Sequence, residues 1–223
     1  TQKDGSFLVG RDKNDNFKWS DIKGSNVIGG RPGGVPAMAL EYVMKKNNID
    51  PQKDVNMVTN IDFSATAGAF KGGTGDYVAL FEPTASTIEK DGSGYILASV
   101  GEETGLIPYT CYFSTKSYMD KNPEVIEKFT KAIYEGQQWF FSHSDEEVAD
   151  SIIDYFPGTD RDTIITVVKN YRSIDALAHS PEIKEEDLNR LMDIIQDYDS
   201  SLITTRPQFS KIVDNSYDQK AQN

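Results

Sequence analysis

The chain has 223 residues, 38% of them hydrophobic, which suffices for one large core or two small ones. Lys and Arg number 23 against 35 Asp and Glu, and the net charge of -12 makes nucleic acid and anionic membrane surfaces poor partners. A single cysteine, Cys111, permits no internal disulfide, the histidines His143 and His179 lack neighbours at metal-ligand spacing, and no stretch approaches the roughly 20 apolar residues of a membrane span.

The chain opens without a basic segment followed by an apolar one, so any export signal is expected upstream of Thr1. From there short apolar runs alternate with helical patterns, the rhythm of βα units on a largely parallel sheet. Ser6 to Gly10 reads as a strand, Trp19 to Gly24 as a turn, and Asn26 to Gly29 as a second strand. Gly29-Gly30-Arg31-Pro32-Gly33-Gly34-Val35-Pro36 leads into a helix to about Asn47, with Met38, Leu40, Tyr42, Val43 and Met44 on its apolar side. Val55 to Val58 is a strand, Ser64 to Lys71 a short helix, and Tyr77 to Phe81 an unbroken apolar strand that Glu82-Pro83 ends. A helix over 84–90, a strand over 95–100, a polar connection over 101–105 and a strand from Tyr109 to Ser114 follow. Beyond Asn122 the chain is helical: Pro123 opens a long helix through Phe129, Ile133, Gln137 and Phe140, and three more span 145–155, 160–171 and 184–198, each with acidic residues at its start.

The glycine-proline loop between a strand and a helix offers backbone N–H groups and the positive end of a helix dipole to whatever lies at the strand's carboxyl end. It lacks the Lys-Ser/Thr ending of a phosphate-binding loop and does not match Gly-x-Gly-x-x-Gly, so nucleotide binding is not supported. The plainer reading is a tight turn that needs a positive φ. Asn60 to Ser64 and Phe81-Glu82-Pro83 place aromatic and carboxylate groups at further strand ends, where open parallel sheets collect ligands. The plain alternatives are a helix N-cap for Asp62 or Ser64 and core packing for Phe81. Cys111, between Tyr109 and Tyr112, reads as a small buried hydrophobe, and no local motif pairs it with a base.

In this order Trp19-Ser20-Asp21-Ile22-Lys23-Gly24, the following strand, the glycine-rich loop and its helix resemble the opening of the NMT1/THI5-like and SsuA/TauA-like solute-binding proteins. Ala65 to Gly72 with Gly75-Asp76, Phe81-Glu82-Pro83, Tyr109 to Ser114 and Asn122-Pro123-Glu124-Val125-Ile126-Glu127-Lys128-Phe129 match further stretches of that family in sequence order. The resemblance runs from about Ser6 to Tyr198. It implies an α/β periplasmic-binding-protein-like fold of two lobes with parallel-sheet cores and crossing strands, the first lobe incomplete because the chain starts almost at the first crossing. Residues 11–107 would be the second lobe, and 1–10 with 108–223 the mostly helical remainder of the first. Helices beyond Asn122 would then carry uncovered apolar surface.

The resemblance also implies a function: the extracellular solute-binding component of an ABC importer, with a small organic molecule such as a sulfonate or a pyrimidine thiamine precursor in the cleft. Its partners would be that ligand and a membrane permease, its place extracellular or periplasmic, held as a lipoprotein by a segment outside this chain. Carried over by position, ligand contacts fall on Gly33, Gly34 and Val35, on Asp62 and Phe63, on Phe81 and Glu82, and on Tyr109. No catalytic residue, cofactor or metal is expected. Two other classes share the fold. A thiamine-pyrimidine synthase consumes pyridoxal phosphate and has a cysteine-rich motif, against which Cys111 stands alone, and a LysR-type regulatory domain normally accompanies a helix-turn-helix, which is not visible. The segments around Ser6 to Arg11 and Gly105 to Tyr112 are expected to be the crossing pair, with Tyr109 on the cleft floor.

Overall fold

Ser6–Gly10, strand β1, is buried at all five positions, and its place in the sheet explains why. In the computed structural model, which describes residues 1–222, β1 lies between β4 (Tyr77–Phe81) and β5 (Tyr95–Ser99) and runs antiparallel to both. Strand β2 (Asn26–Ile28) pairs in parallel with β4 and with β3 (Asn56–Val58), so the order across the sheet is β3-β2-β4-β1-β5. The sheet is therefore mixed rather than largely parallel. Helical crossovers impose one direction on β2, β3 and β4, whereas β1 enters from the front of the chain and is free of that constraint. Its register sets Ser6 opposite Phe81, so the amino end of β1 lies beside the carboxyl end of β4.

Alternation along these strands divides two apolar layers. Leu8 and Val27 face α1 (Val35–Lys46), where Ala39, Leu40, Val43 and Met44 close over them together with Trp19 and Ile22 from a single 3₁₀ turn at Trp19–Ile22. Phe7, Val9, Ile28, Val78 and Leu80 face the other side, against Phe70 of α2 (Thr66–Lys71) and Ala85 and Ile88 of α3 (Thr84–Lys90). A short helix α4 (Val100–Thr104) replaces the expected polar connection after β5 and returns Val100 to the first layer.

The helical half consists of α5 (Lys116–Lys121), α6 (Pro123–Ser142), α7 (Asp145–Ile152), α8 (Arg161–Ser173), α9 (Glu185–Tyr198), α10 (Phe209–Ile212) and α11 (Ser216–Ala221). Helix α8 docks on the sheet unit through Ile174 and Ala176, which join the second apolar layer just after the helix ends. Arg172 ties α6, α7 and α8 together: Nη1 pairs with Asp145 at 2.6 Å, Nη2 donates to the carbonyls of His143 and Phe140, and the guanidinium lies over the Phe140 ring. Helix α9 packs on α1 through Ile194 against Met38.

Three expectations change. Ser6–Gly10, expected as a crossing segment, is a strand inside the sheet, and the run Thr1 to Gly5 before it travels beside Leu106 to Thr110. Ile107 donates to the Gln2 carbonyl at 2.9 Å and Thr110 to that of Thr1 at 3.4 Å. The strand expected over Tyr109 to Ser114 does not form; β-forming residues need a partner strand, and among the described residues none lies alongside. In consequence Cys111 is exposed rather than buried.

The amphipathic α6 buries none of its twenty residues. Its Ile126, Phe129 and Ile133 instead line a groove of about 510 Å³ with Ile107, Met119 and the exposed Tyr112, whose ring meets Phe129 edge-on at 4.8 Å.

Candidate ligand-binding site

At one edge of the sheet the carboxyl ends of β2, β3 and β4 meet the amino end of β1. The chain turns there through Gly29-Gly30-Arg31 after β2, Ile61 and Phe63 after β3, and Phe81 at the end of β4. With Ser6, Pro36, Thr66 and Ala79 these residues line a pocket whose innermost space is about 10 Å³, room for about one water. Any organic solute must therefore sit above this floor or widen it. Thr66 is held in place by its own helix start, its hydroxyl donating to the Phe63 carbonyl at 2.9 Å.

A row of aromatic rings begins at the pocket, which Phe63 and Phe81 line, and continues to Tyr109 beyond Phe81. Phe63 lies 5.9 Å from Phe81, and Phe81 6.2 Å from Tyr109, centroid to centroid, all tilted. Phe63 is 67% exposed, so its face is available to a ligand. The glycine-proline loop contributes Gly29, Gly30, Arg31 and Pro36 to the lining. Arg31-Pro32-Gly33-Gly34 is a turn with Pro second, Gly33 at φ 78° third, and the Gly34 amide donating to the Arg31 carbonyl at 3.0 Å. The Gly33 amide donates to the Tyr198 hydroxyl of α9, also at 3.0 Å. Both amides proposed from the sequence for a ligand are thus engaged within the chain. The amides of Val35 and Ala37, at the start of α1, have no partner among the described residues.

Glu82 follows Phe81 in sequence and turns its carboxylate to a different task. Its oxygens accept from the Ser86 amide at 3.0 Å, the Ser86 hydroxyl at 2.7 Å and the Asn170 side chain at 2.7 Å, binding the end of β4 to α3 and α8. Asp62 is exposed at the residue before a 3₁₀ turn, Phe63–Ala65, and its carboxylate makes no cap bond. Of the residues expected to touch a ligand, Phe63 and Phe81 line this pocket, whereas Tyr109 stands beyond Phe81 and Gly33, Gly34 and Val35 lie between the lining residues Arg31 and Pro36 without lining it themselves. The structure commits Glu82 to the scaffold.

Four participants escape a sequence reading. Arg31 lies inside the glycine-proline loop, exposed at the pocket, and its guanidinium has no partner among the described residues, whereas Arg11, Arg161, Arg172, Arg190 and Arg206 each hold a carbonyl or carboxylate. Ser6 and Ala79 are anonymous strand residues until β1 and β4 pair. Asp4 is the fourth: it is fully buried, one oxygen accepts the Ser6 amide at 2.7 Å, and the Tyr109 hydroxyl lies beside the carboxylate. Burial pushes its carboxyl up to about 6 against the lowering effect of hydrogen bonds from Ser6 and Tyr109. Tyr171 sits behind it, pushed up to about 12 by burial and then by the charge of Glu82. An acid just before a strand carries no sequence mark of such burial.

Among the described residues no cluster of three or more His, Cys, Asp or Glu is placed to hold a metal ion. The pocket presents a cation, a helix start and aromatic faces, a set suited to holding a molecule. Residues 8–154 match the NMT1-like family. The chain belongs to that family. Over 195 residues it is 46% identical to the putative binding protein YtlA of Bacillus subtilis (strain 168), covering 87% of this chain and 58% of YtlA. The NMT1-like chain thus spans little more than half the length of that relative. Its fold is that of the ligand-binding component of an ABC-type import system from Staphylococcus aureus, with TM-score 0.68, 16% identity, and coverage of 99% of this chain and 72% of that one. The alkanesulfonate-binding protein SsuA of Xanthomonas axonopodis pv. citri, solved with MOPS, shares it at TM-score 0.65 and 16% identity, over 91% of this chain and 66% of that one.

Proposed function

We propose that this NMT1-like chain belongs to the solute-binding component of an ABC importer and holds a small organic molecule between the aromatic wall and the glycine-proline loop. The observation that carries the reading is the pocket itself: strand ends and the rings of Phe63 and Phe81 converge there with Arg31. An unpaired guanidinium beside free helix-start amides favours a ligand with an anionic end, and the row of rings favours a flat or apolar body. A sulfonate with an organic tail meets both demands; a pyrimidine meets the second. The chain would act outside the cytoplasm, delivering its solute to a permease, with anchoring left to a lipid-modified segment beyond these residues.

In the same reading residues 11–107 form one lobe of the receptor, and Thr1 to Gly5 with Leu106 to Thr110 carry the connection to the other. The enzyme alternative is not favoured: Cys111 lies on the groove beneath α6 rather than at the pocket. Calorimetric titration with MOPS, ethanesulfonate, nitrate, bicarbonate and 4-amino-5-hydroxymethyl-2-methylpyrimidine tests the reading. Saturable binding of one of them, weakened by Arg31→Ala or Phe63→Ala, is the expected result. Absence of binding to all, together with turnover of pyridoxal phosphate, would refute it.

A further inference from the structure

The groove of about 510 Å³ beneath α6 is separate from the pocket, and its walls are apolar. Helix α6 contributes Ile126, Phe129 and Ile133 at helical spacing yet buries none of its residues, and Tyr112 beside it is 72% exposed. Two polar groups on the groove also lack an answer. Asp218 of α11 is only 4% exposed and its Oδ1 has no donor, and the buried Oε1 of Gln137 has none either. A cover for this face must bring apolar side chains and hydrogen-bond donors together.

The backbone on the groove's rim shows how a cover would attach. Thr1 and Thr110 exchange both hydrogen bonds, the Thr1 nitrogen donating to the Thr110 carbonyl at 3.3 Å and the Thr110 amide to the Thr1 carbonyl at 3.4 Å. Such an exchange is the close pair of an antiparallel ladder, and the next one falls two residues along each strand. On one side that residue is Tyr112. The backbone groups of Cys111, Tyr112 and Phe113 make no hydrogen bond among the described residues, although the run Thr110-Cys111-Tyr112-Phe113 is made of β-formers. On the other side it is the second residue ahead of Thr1. Relatives have chain to supply it, since this chain covers only 58% of YtlA. The carboxyl end is already engaged: α11 lies along α6, with Lys220 paired to Glu127 at 3.3 Å.

We infer that the groove seats the segment of the full-length protein that precedes Thr1, paired as an antiparallel strand with Cys111 to Ser114 and laid across α6. Apolar side chains on one face of that strand cover Phe129 and Ile133, and a donor it carries answers Asp218. The inference stands on the groove and its rim, and it is independent of what the pocket binds.

Cys111 is the test, being the sole cysteine of these residues, exposed, and on the groove. Its alkylation by iodoacetamide is followed by peptide mass spectrometry in residues 1–223 and in the full-length gene product, with hydrogen exchange at Tyr112 measured alongside. In the full-length protein both should be slower by about tenfold or more, as for groups that react only after a local opening. A second comparison stays within the full-length protein, so it decides even if residues 1–223 do not fold alone. Proline at the second residue ahead of Thr1 removes the amide that pairs with Tyr112 and should restore fast alkylation of Cys111, whereas proline at the residue directly ahead of Thr1, whose amide points away from this strand, should restore it less. Equal rates in the two lengths overturn the inference, as does a gene product that begins at Thr1. Slow alkylation in both lengths with residues 1–223 dimeric by light scattering would assign the groove to a second copy instead. Protection of Cys111 without protection of the Tyr112 amide, or indifference to both prolines, would overturn the strand.

Discussion

The amide of Gly33 donates to the hydroxyl of Tyr198 at 3.0 Å, joining the pocket loop to a helix 165 residues away in sequence. Arg31 therefore projects from a loop braced on both sides, by its own turn to Gly34 and by α9. Removing the hydroxyl in Tyr198→Phe should cost about 1 kcal/mol of stability, the net worth of one such bond. Hydrogen exchange at Gly33 should speed up while exchange in β1 stays unchanged. Equal protection of Gly33 in both proteins would show that the brace is not Tyr198.

Within the same turn the two glycines should respond differently. Gly33 has φ 78°, where an L side chain is strained, so Gly33→Ala should lose about 1–2 kcal/mol in urea unfolding. Gly34 is extended at φ -89° and ψ 148°, a conformation open to any residue. Gly34→Ala meets the Arg31 carbonyl at 3.2 Å and Pro36 Cδ at 3.7 Å and should change stability by about 0.5 kcal/mol or less. A larger loss at Gly34 than at Gly33 would contradict the turn assignment.

Asp4 should make stability fall as pH rises. Its folded pKa of about 6 is above the ordinary 3.8, so the unfolded chain ionises first and the folded state is penalised progressively between about pH 4 and 6. The full penalty is on the order of 3 kcal/mol. Asp4→Asn keeps an acceptor for the Ser6 amide and carries no charge, so its melting temperature should be less dependent on pH in this window than that of the wild type. Parallel pH profiles for the two proteins would remove Asp4 as the source.

Glu82 is expected to act through the scaffold. Asn170→Ala takes away a donor held at 2.7 Å and leaves a half-buried carboxylate short of a partner, which should cost about 1–3 kcal/mol. The loss should appear as faster exchange along α8 and α3, with ligand affinity reduced only modestly. A variant as stable as the wild type would mean that Ser86 alone satisfies Glu82.

Core and groove differ in the same way. Leu8 is fully buried between α1 and the sheet, so Leu8→Ala should cost about 2–5 kcal/mol in chemical denaturation. Phe113 is 96% exposed, so Phe113→Ser should be neutral to within about 0.5 kcal/mol. A large loss at Phe113 would show that the face beneath α6 is covered in solution.

Much of the local structure was legible because it depends on neighbours in sequence. Periodicity placed α1, α6, α8 and α9, the unbroken run Tyr77 to Phe81 marked a strand, although only Val78 and Leu80 of it are buried, and Arg31-Pro32-Gly33-Gly34 announced a turn. The motif order also carried the family. The tertiary structure alone decided the direction of β1, because strand polarity depends on which partner the strand reaches and not on its own residues. It also decided that Tyr109 to Ser114 stays irregular for want of a partner strand. The same long-range pairing turned Glu82 toward Asn170, occupied the Gly33 amide with Tyr198, and left Arg31 without a partner among the described residues. Asp4 is the clearest case. An aspartate ahead of a strand reads as a solvated charge, and only the packing of Gly101, Tyr109 and Tyr171 around it makes it a buried carboxylate at the crossing of two segments. Burial is a property of what lies around a residue, and those surroundings are assembled from distant parts of the chain.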